Sequence, residues 1–133
     1  MKIFLDDVRD PIDCAKYMHK RIGKDNFIYL EKDWVIVKNY YEFMTTINQA
    51  MQDNVKITHI SFDHDLADEH YDPSMMVSDE DYNALYETFE ERTGYDCAKW
   101  LKEWYKEYNL ELPIMYVHSM NPIGTQNIIN VFK

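Results

Sequence analysis

Apolar runs along the chain stop repeatedly at polar clusters. Ile3, Phe4 and Leu5 form a short apolar run that ends at Asp6 and Asp7, as a buried strand does where it reaches a polar edge. After Pro11, apolar side chains recur at Ile12, Ala15, Met18 and Ile22, the spacing of one helix face, and Gly23 is placed to end that helix. Residues 33–39, DWVIVKN, predict a second strand, with NFIYL before it as a piece of edge hairpin. Tyr40, Met44, Ile47 and Met51 then mark the inner face of a second helix. ITHISF, residues 57–62, predicts a third strand, and PIMYVHS, residues 113–119, a fourth.

A long crossover separates the last two strands. Residues 66–79 read as a polar loop, followed by a helix marked by Tyr82, Leu85, Tyr86 and Phe89. Gly94 interrupts the pattern. Another helix follows with Ala98, Leu101, Trp104 and Tyr108 along one side and Asp96 as its N-cap. Gly124 to Phe132 is long enough for one last short helix. Strands alternating with helices predict an α/β fold: an open parallel sheet of about four main strands in a single domain over residues 1–133. No fifth strand is expected after the last helix.

Composition narrows the functions open to such a domain. With 46% hydrophobic residues, eleven tyrosines, six phenylalanines and three tryptophans, the chain has the material for a packed core and not for disorder. Its formal charge of -10 repels nucleic-acid backbones and anionic membrane surfaces, so extended nucleic-acid binding and membrane binding are not expected. A small phosphorylated ligand remains compatible, because a cation or a few local donors can invert the potential inside one pocket. No stretch approaches the ~20 apolar residues of a membrane span. Cys14 and Cys97 are too few for a disulfide framework and read as buried thiols in a reducing compartment, so a cytoplasmic protein is expected.

In open parallel sheets, ligands bind beyond the carboxyl ends of the strands. Three predicted strands deliver polar clusters there: Asp6, Asp7 and Arg9 after the first; Asp63, His64 and Asp65 after the third; His118, Ser119 and Asn121 after the fourth. A strand order that places these three side by side brings the clusters together. Asp6 and Asp7 point to opposite sides of a straight strand, so one is expected in the cleft while the other braces the loop. Asp6, Asp7, Asp63 and Asp65 offer the oxygen donors that hard divalent cations prefer, which favours Mg²⁺ or Mn²⁺. His64 and His118 offer the alternative of a zinc or transition-metal site.

The same residues suit proton transfer. His118 and His64, with Asp63, are the candidate catalytic groups, since imidazoles titrate near neutrality and carboxylates beside them favour the charged form. Arg9 matches phosphate oxygens with its planar fork, or pairs with a neighbouring acid. Ser119, Asn121, Gly124 and Asn127, in HSMNPIGTQN, are candidates to hold a phosphoryl oxygen, because a helix start offers free N–H groups.

Four segments in this order, LDDVR at 5–9, SFDHDL at 61–66, GYDCAKW at 94–100 and HSMNPIGTQN at 118–127, resemble the cyclic-phosphate-processing receiver-like domains. These are a divergent branch of the flavodoxin-like response-regulator receiver fold, and the resemblance spans nearly the whole chain. It implies that Asp6 and Asp7 stand where receivers carry metal-binding acids and Asp63 where they carry the phosphorylatable aspartate. Ser119 or His118 then takes the strand-four position of the receiver Ser or Thr. The fifth strand and its lysine have no counterpart here, which leaves Arg9, His64 and His118 to neutralise phosphate charge. The expectation is metal-assisted hydrolysis of a cyclic phosphodiester, either a cyclic nucleotide or a cyclic-phosphate RNA end. The alternatives are a non-catalytic module for a phosphorylated ligand or protein partner, and a true phospho-acceptor receiver.

Overall fold

Four short strands form one parallel sheet in the order β2-β1-β3-β4. They are β1 (Lys2–Leu5), β2 (Trp34–Val37), β3 (His59–Phe62) and β4 (Ile114–Val117). The computed structural model describes residues 1–22, 27–66 and 92–133. The predicted loop beyond Leu66, the helix at Tyr82–Phe89 and Gly23 lie outside these residues. Among the described residues, five helices accompany the strands: α1 (Pro11–Ile22), α2 (Phe27–Leu30), α3 (Tyr40–Gln52), α4 (Gly94–Glu107) and α5 (Pro122–Val131).

Alternation along the strands divides the core in two. Ile3, Leu5, Val37, Ile60 and Phe62 meet Phe43, Ile47 and Ala50 of α3, Cys97, Ala98, Leu101, Trp104 and Tyr105 of α4, and Ile128 of α5. Phe4 has the opposite parity and packs with Cys14 and Ala15 of α1 and Tyr29 of α2, against Trp34 and Tyr116. Parallel strands buried on both faces need continuous apolar runs, which accounts for their β-branched and aromatic content.

Side-chain caps set where the helices begin. Asn39 caps α3 by accepting from the Glu42 amide at 2.8 Å. Thr93 caps α4, and Asp96 reaches back to the Thr93 amide at 3.0 Å, so Asp96 is the third helical residue of a capping box and not the N-cap. Asn121 caps α5 by accepting from the Gly124 amide, with Pro122 in the first turn, where its missing N–H costs nothing. Asn54 and Asn109, just past the ends of α3 and α4, adopt φ of 56° and 53°, a left-handed conformation that asparagine tolerates.

Several local expectations change once packing is present. NFIYL is not a hairpin strand: Phe27–Leu30 is one helical turn, and it carries Tyr29 into the core with 2% exposure. The inner face of α3 is Phe43, Ile47 and Ala50, whereas Met51 is 40% exposed. Ile12 and Tyr108 are also partly exposed to solvent. Gly94 opens α4 and does not merely interrupt a helical pattern.

A cavity of about 710 Å³ lies at the amino-terminal end of the sheet, lined by Met51, Val55, Trp104, Leu112 and Ile114. It is on the edge opposite the polar clusters.

Leu101 is fully buried, so Leu101→Ala is expected to destabilise the fold by about 2–5 kcal/mol through lost contacts and a residual cavity. Tyr41, at 70% exposure, should change stability by no more than ~0.5 kcal/mol on replacement by alanine. Urea unfolding of the two variants checks the contrast.

Candidate functional site at the carboxyl ends of the strands

The register of the sheet assembles the site. Leu5 is level with Phe62, and Phe62 with Val117, so the next residues, Asp6, Asp63 and His118, stand side by side on adjacent strands. All three share the parity of Phe4 and therefore the same face. Donor atoms from these three residues lie within 4.8 Å of one another, and all three residues are buried.

Asp6 is tightly held. Its Oδ1 accepts from the Val8 and Arg9 amides, each at 2.9 Å. Its Oδ2 accepts from Arg9 Nε at 3.0 Å and lies 3.1 Å from His118 Nε2. Burial pushes this carboxyl up, but the His118 bond and the two amides outweigh it and hold Asp6 below the usual carboxylate range. An ionised Asp6 can only accept, so His118 Nε2 must carry the proton.

His118 is the end of a buried chain of polar groups. Its Nδ1 lies 2.7 Å from Ser61 Oγ, which lies 2.9 Å from the Tyr29 hydroxyl. The ring stacks on Phe4 at 4.2 Å and 8°. Burial lowers the His118 pKa and prevails over the bond and charge of Asp6, so the imidazole is neutral. A neutral ring with its proton on Nε2 accepts at Nδ1 from Ser61. Ser61 and Tyr29 were not found by sequence reading. Their one signal was parity: Ser61 lies two residues before Asp63 on the same face.

Asp63 behaves differently from Asp6. Its Oδ1 accepts from its neighbour His64's amide at 2.8 Å and lies 3.3 Å from Arg9 Nη2. Its Oδ2 is buried and has no hydrogen-bond partner among the described residues. Burial, then the negative charge of Asp6, raises its pKa to about 8 against the pull of Arg9. Near neutrality Asp63 is therefore largely a carboxylic acid. Arg9, with a side chain 21% exposed, is the group of this cluster nearest to solvent.

A second knot lies alongside. His64 Nδ1 is 2.7 Å from Asp65 Oδ1, which also accepts from Asn121 Nδ2 at 3.3 Å. The His64 ring is fully buried against Gly124, where a Cβ would run into it. Gly94 is constrained in the same way: its amide donates to the His64 carbonyl at 2.8 Å, and a Cβ would collide with the carbonyl of Asp63. The motif glycines are thus explained by close packing behind the site.

The other expected residues are placed as follows. Ser119 is half-buried; its Oγ accepts from the Asn121 amide at 3.1 Å and its carbonyl from Thr125 Oγ1. Asn121 serves as N-cap and as a partner of Asp65. Asn127 is half-buried on α5, and Asp7 is half-buried beside Asp6. Neither Asp7 nor Asp65 belongs to the close grouping of donor atoms among the described residues.

These contacts bear on the expected divalent ion. Both oxygens of Asp6 are committed to four donors, His118 presents a proton where a metal ligand needs a lone pair, and a guanidinium already spans Asp6 and Asp63. Within the Asp6, Asp63 and His118 grouping, Asp63 Oδ2 has no hydrogen-bond partner among the described residues. With these contacts in place, the Asp6, Asp63 and His118 grouping does not fit an ion.

A parallel β2-β1-β3-β4 sheet with helices on both faces and acids at its carboxyl edge defines a receiver-like α/β protein. The chain belongs to the cyclic-phosphate processing receiver domain family, whose model matches residues 1–133. Neither a curated protein nor a solved structure matches the chain. Among the described residues, no helix is long and apolar enough to cross a membrane.

Two consequences can be measured. Asp63 keeps its proton in the native state up to about pH 8 but releases it near 3.8 when unfolded. The native state thus binds the extra proton between these values, and this group's contribution to stability falls as pH rises through that window. In chelator-containing buffer, the stability of Asp63→Asn relative to wild type should climb from about pH 4 to about pH 8 and then level off. Urea midpoints across pH check this, and a flat difference would remove the raised pKa. Gly124→Ala should destabilise the protein by about 1–3 kcal/mol through overpacking against His64, read by thermal melting.

Proposed function

We propose that this chain opens a cyclic phosphodiester by hydrolysis, with Arg9 binding the phosphoryl oxygens and Asp63 moving the proton. The observation that supports this reading is the Oδ2 of Asp63, buried and without a hydrogen-bond partner among the described residues, on a carboxyl that holds its proton at neutral pH behind a partly exposed guanidinium. The name of the family, cyclic-phosphate processing receiver domain, points to the same substrate class.

The step balances within these groups. Water attacks phosphorus while one ring P–O bond breaks. The leaving oxygen takes the proton of Asp63, and the attacking water returns one to the carboxylate. The product is a phosphomonoester with a free hydroxyl. A carboxyl with a pKa near the working pH can both give and recover a proton, which an ordinary aspartate does poorly. Arg9 supplies fixed positive charge for the phosphoryl oxygens. His118 acts through Asp6: it fixes the carboxylate that in turn aims Arg9. The net charge of -10 fits a small or end-on substrate better than a tracked polymer.

The near-complete burial of Asp63 supports a second reading, capture of a phosphorylated ligand without turnover. Incubating substoichiometric protein with 2′,3′- and 3′,5′-cyclic nucleotides and with short RNA ending in a cyclic phosphate separates the two. Products are resolved by chromatography, in chelator and with added Mg²⁺ or Mn²⁺. Turnover is expected, with Asp63→Asn lowering kcat by ~100- to 10,000-fold and Arg9→Ala acting mainly on KM. Binding without turnover by folded wild-type protein on the whole panel would replace hydrolysis with capture.

A further inference from the structure

We propose that Arg9 is the built-in cation of this site: its guanidinium holds the place between Asp6 and Asp63 that a divalent ion would take, and removing it turns the pocket into a divalent-cation site. The inference concerns ion binding and stands apart from whether the protein turns over a substrate.

The argument is one of mutual exclusion. Arg9 Nε is 3.0 Å from Asp6 Oδ2, and Arg9 Nη2 is 3.3 Å from Asp63 Oδ1. One planar group therefore bridges the two acids, using the lone pairs that an ion would need. Mg²⁺ binds carboxylate oxygens at about 2.0–2.1 Å in a strict octahedral shell, which leaves no room for a guanidinium on those oxygens. The backbone locks the bridge in place, because the Arg9 amide is itself one of the donors to Asp6 Oδ1. Arg9 cannot be deprotonated in a protein, so the compensation is permanent.

Without the guanidinium, the balance reverses. Asp6 Oδ2 loses a charged donor and Asp63 Oδ1 its cationic neighbour, while Asp63 Oδ2 is already buried with no hydrogen-bond partner among the described residues. Two facing carboxyls in a low-dielectric setting must then take up protons or a cation. The amides that hold Asp6 Oδ1 remain, so one arm of the site stays aimed. A hard divalent ion suits this set of buried oxygens.

Thermal melting in chelator and in millimolar Mg²⁺ or Mn²⁺ tests the proposal on the full chain. Wild-type protein should melt at the same temperature in both. Arg9→Gln should melt lower in chelator and recover by several degrees in a saturable way when the ion is added, since binding only to the native state stabilises by mass action. Arg9→Lys, which keeps a cation, should stay insensitive. Adding Asp63→Asn to Arg9→Gln should abolish the gained response and so locate it. Should Arg9→Gln be unfolded in chelator, circular dichroism should show it folding as Mn²⁺ is added. An equal saturable rise in the wild type would overturn the proposal. So would no rise in Arg9→Gln, or a rise that survives in the double variant.

Discussion

Two carboxyls buried side by side on adjacent strands oppose each other's ionisation, even with a cation between them. Here Arg9 stands there, and most features of the carboxyl edge follow from its position. Asp6 receives four donors and remains ionised, while Asp63 receives fewer, lies deeper in like charge and keeps its proton. Identical side chains thus acquire different chemistry from their surroundings, which is how a protein sets an acid beside an anion at one pH. The polar chain from Tyr29 through Ser61 to His118 completes the arrangement by delivering a neutral donor to Asp6 from the sheet face opposite α3, α4 and α5.

Packing behind the site leaves little freedom. Gly94 presses the first turn of α4 onto the end of β3, and Gly124 presses α5 onto the His64 ring. Both helices begin at side-chain caps, Thr93 and Asn121, and both then join the core that Leu101 and Ile128 fill. Asn121 shows the economy of this region: it caps α5 and also donates to Asp65, so helix start and site geometry share one side chain. Such doubly used residues make local geometry and global stability difficult to alter separately.

The strand runs, the parallel α/β class and the polar clusters at three strand ends were all legible in the sequence. Burial on both faces of a strand leaves an apolar run, and the residue after each run marks the edge. Asp6, Asp63, His118 and Arg9 were named from that logic, and the structure brings those four together. The alternation rule also anticipated that Asp6 and Asp7 would part, and the structure puts Asp6 inside. Errors fell where long-range packing overrides local pattern. NFIYL has strand propensity, yet Tyr29 is drawn into a pocket formed by Phe4, Trp34 and Tyr116 that only exists once the sheet is formed.

By itself, then, the sequence determined which segments are buried and where charge must emerge, because periodicity and burial are local properties of the chain. Tertiary structure alone decided which atoms face one another. That depended on the β2-β1-β3-β4 order and its register, which align residues more than a hundred positions apart, as with Asp6 and His118. Only that alignment distinguishes the aspartate that is an anion from the one that is an acid, and makes Arg9 the bridge between them in preference to a surface ion pair. Pairwise electrostatics in a buried site change over distances of an ångström, and such distances are fixed by the fold.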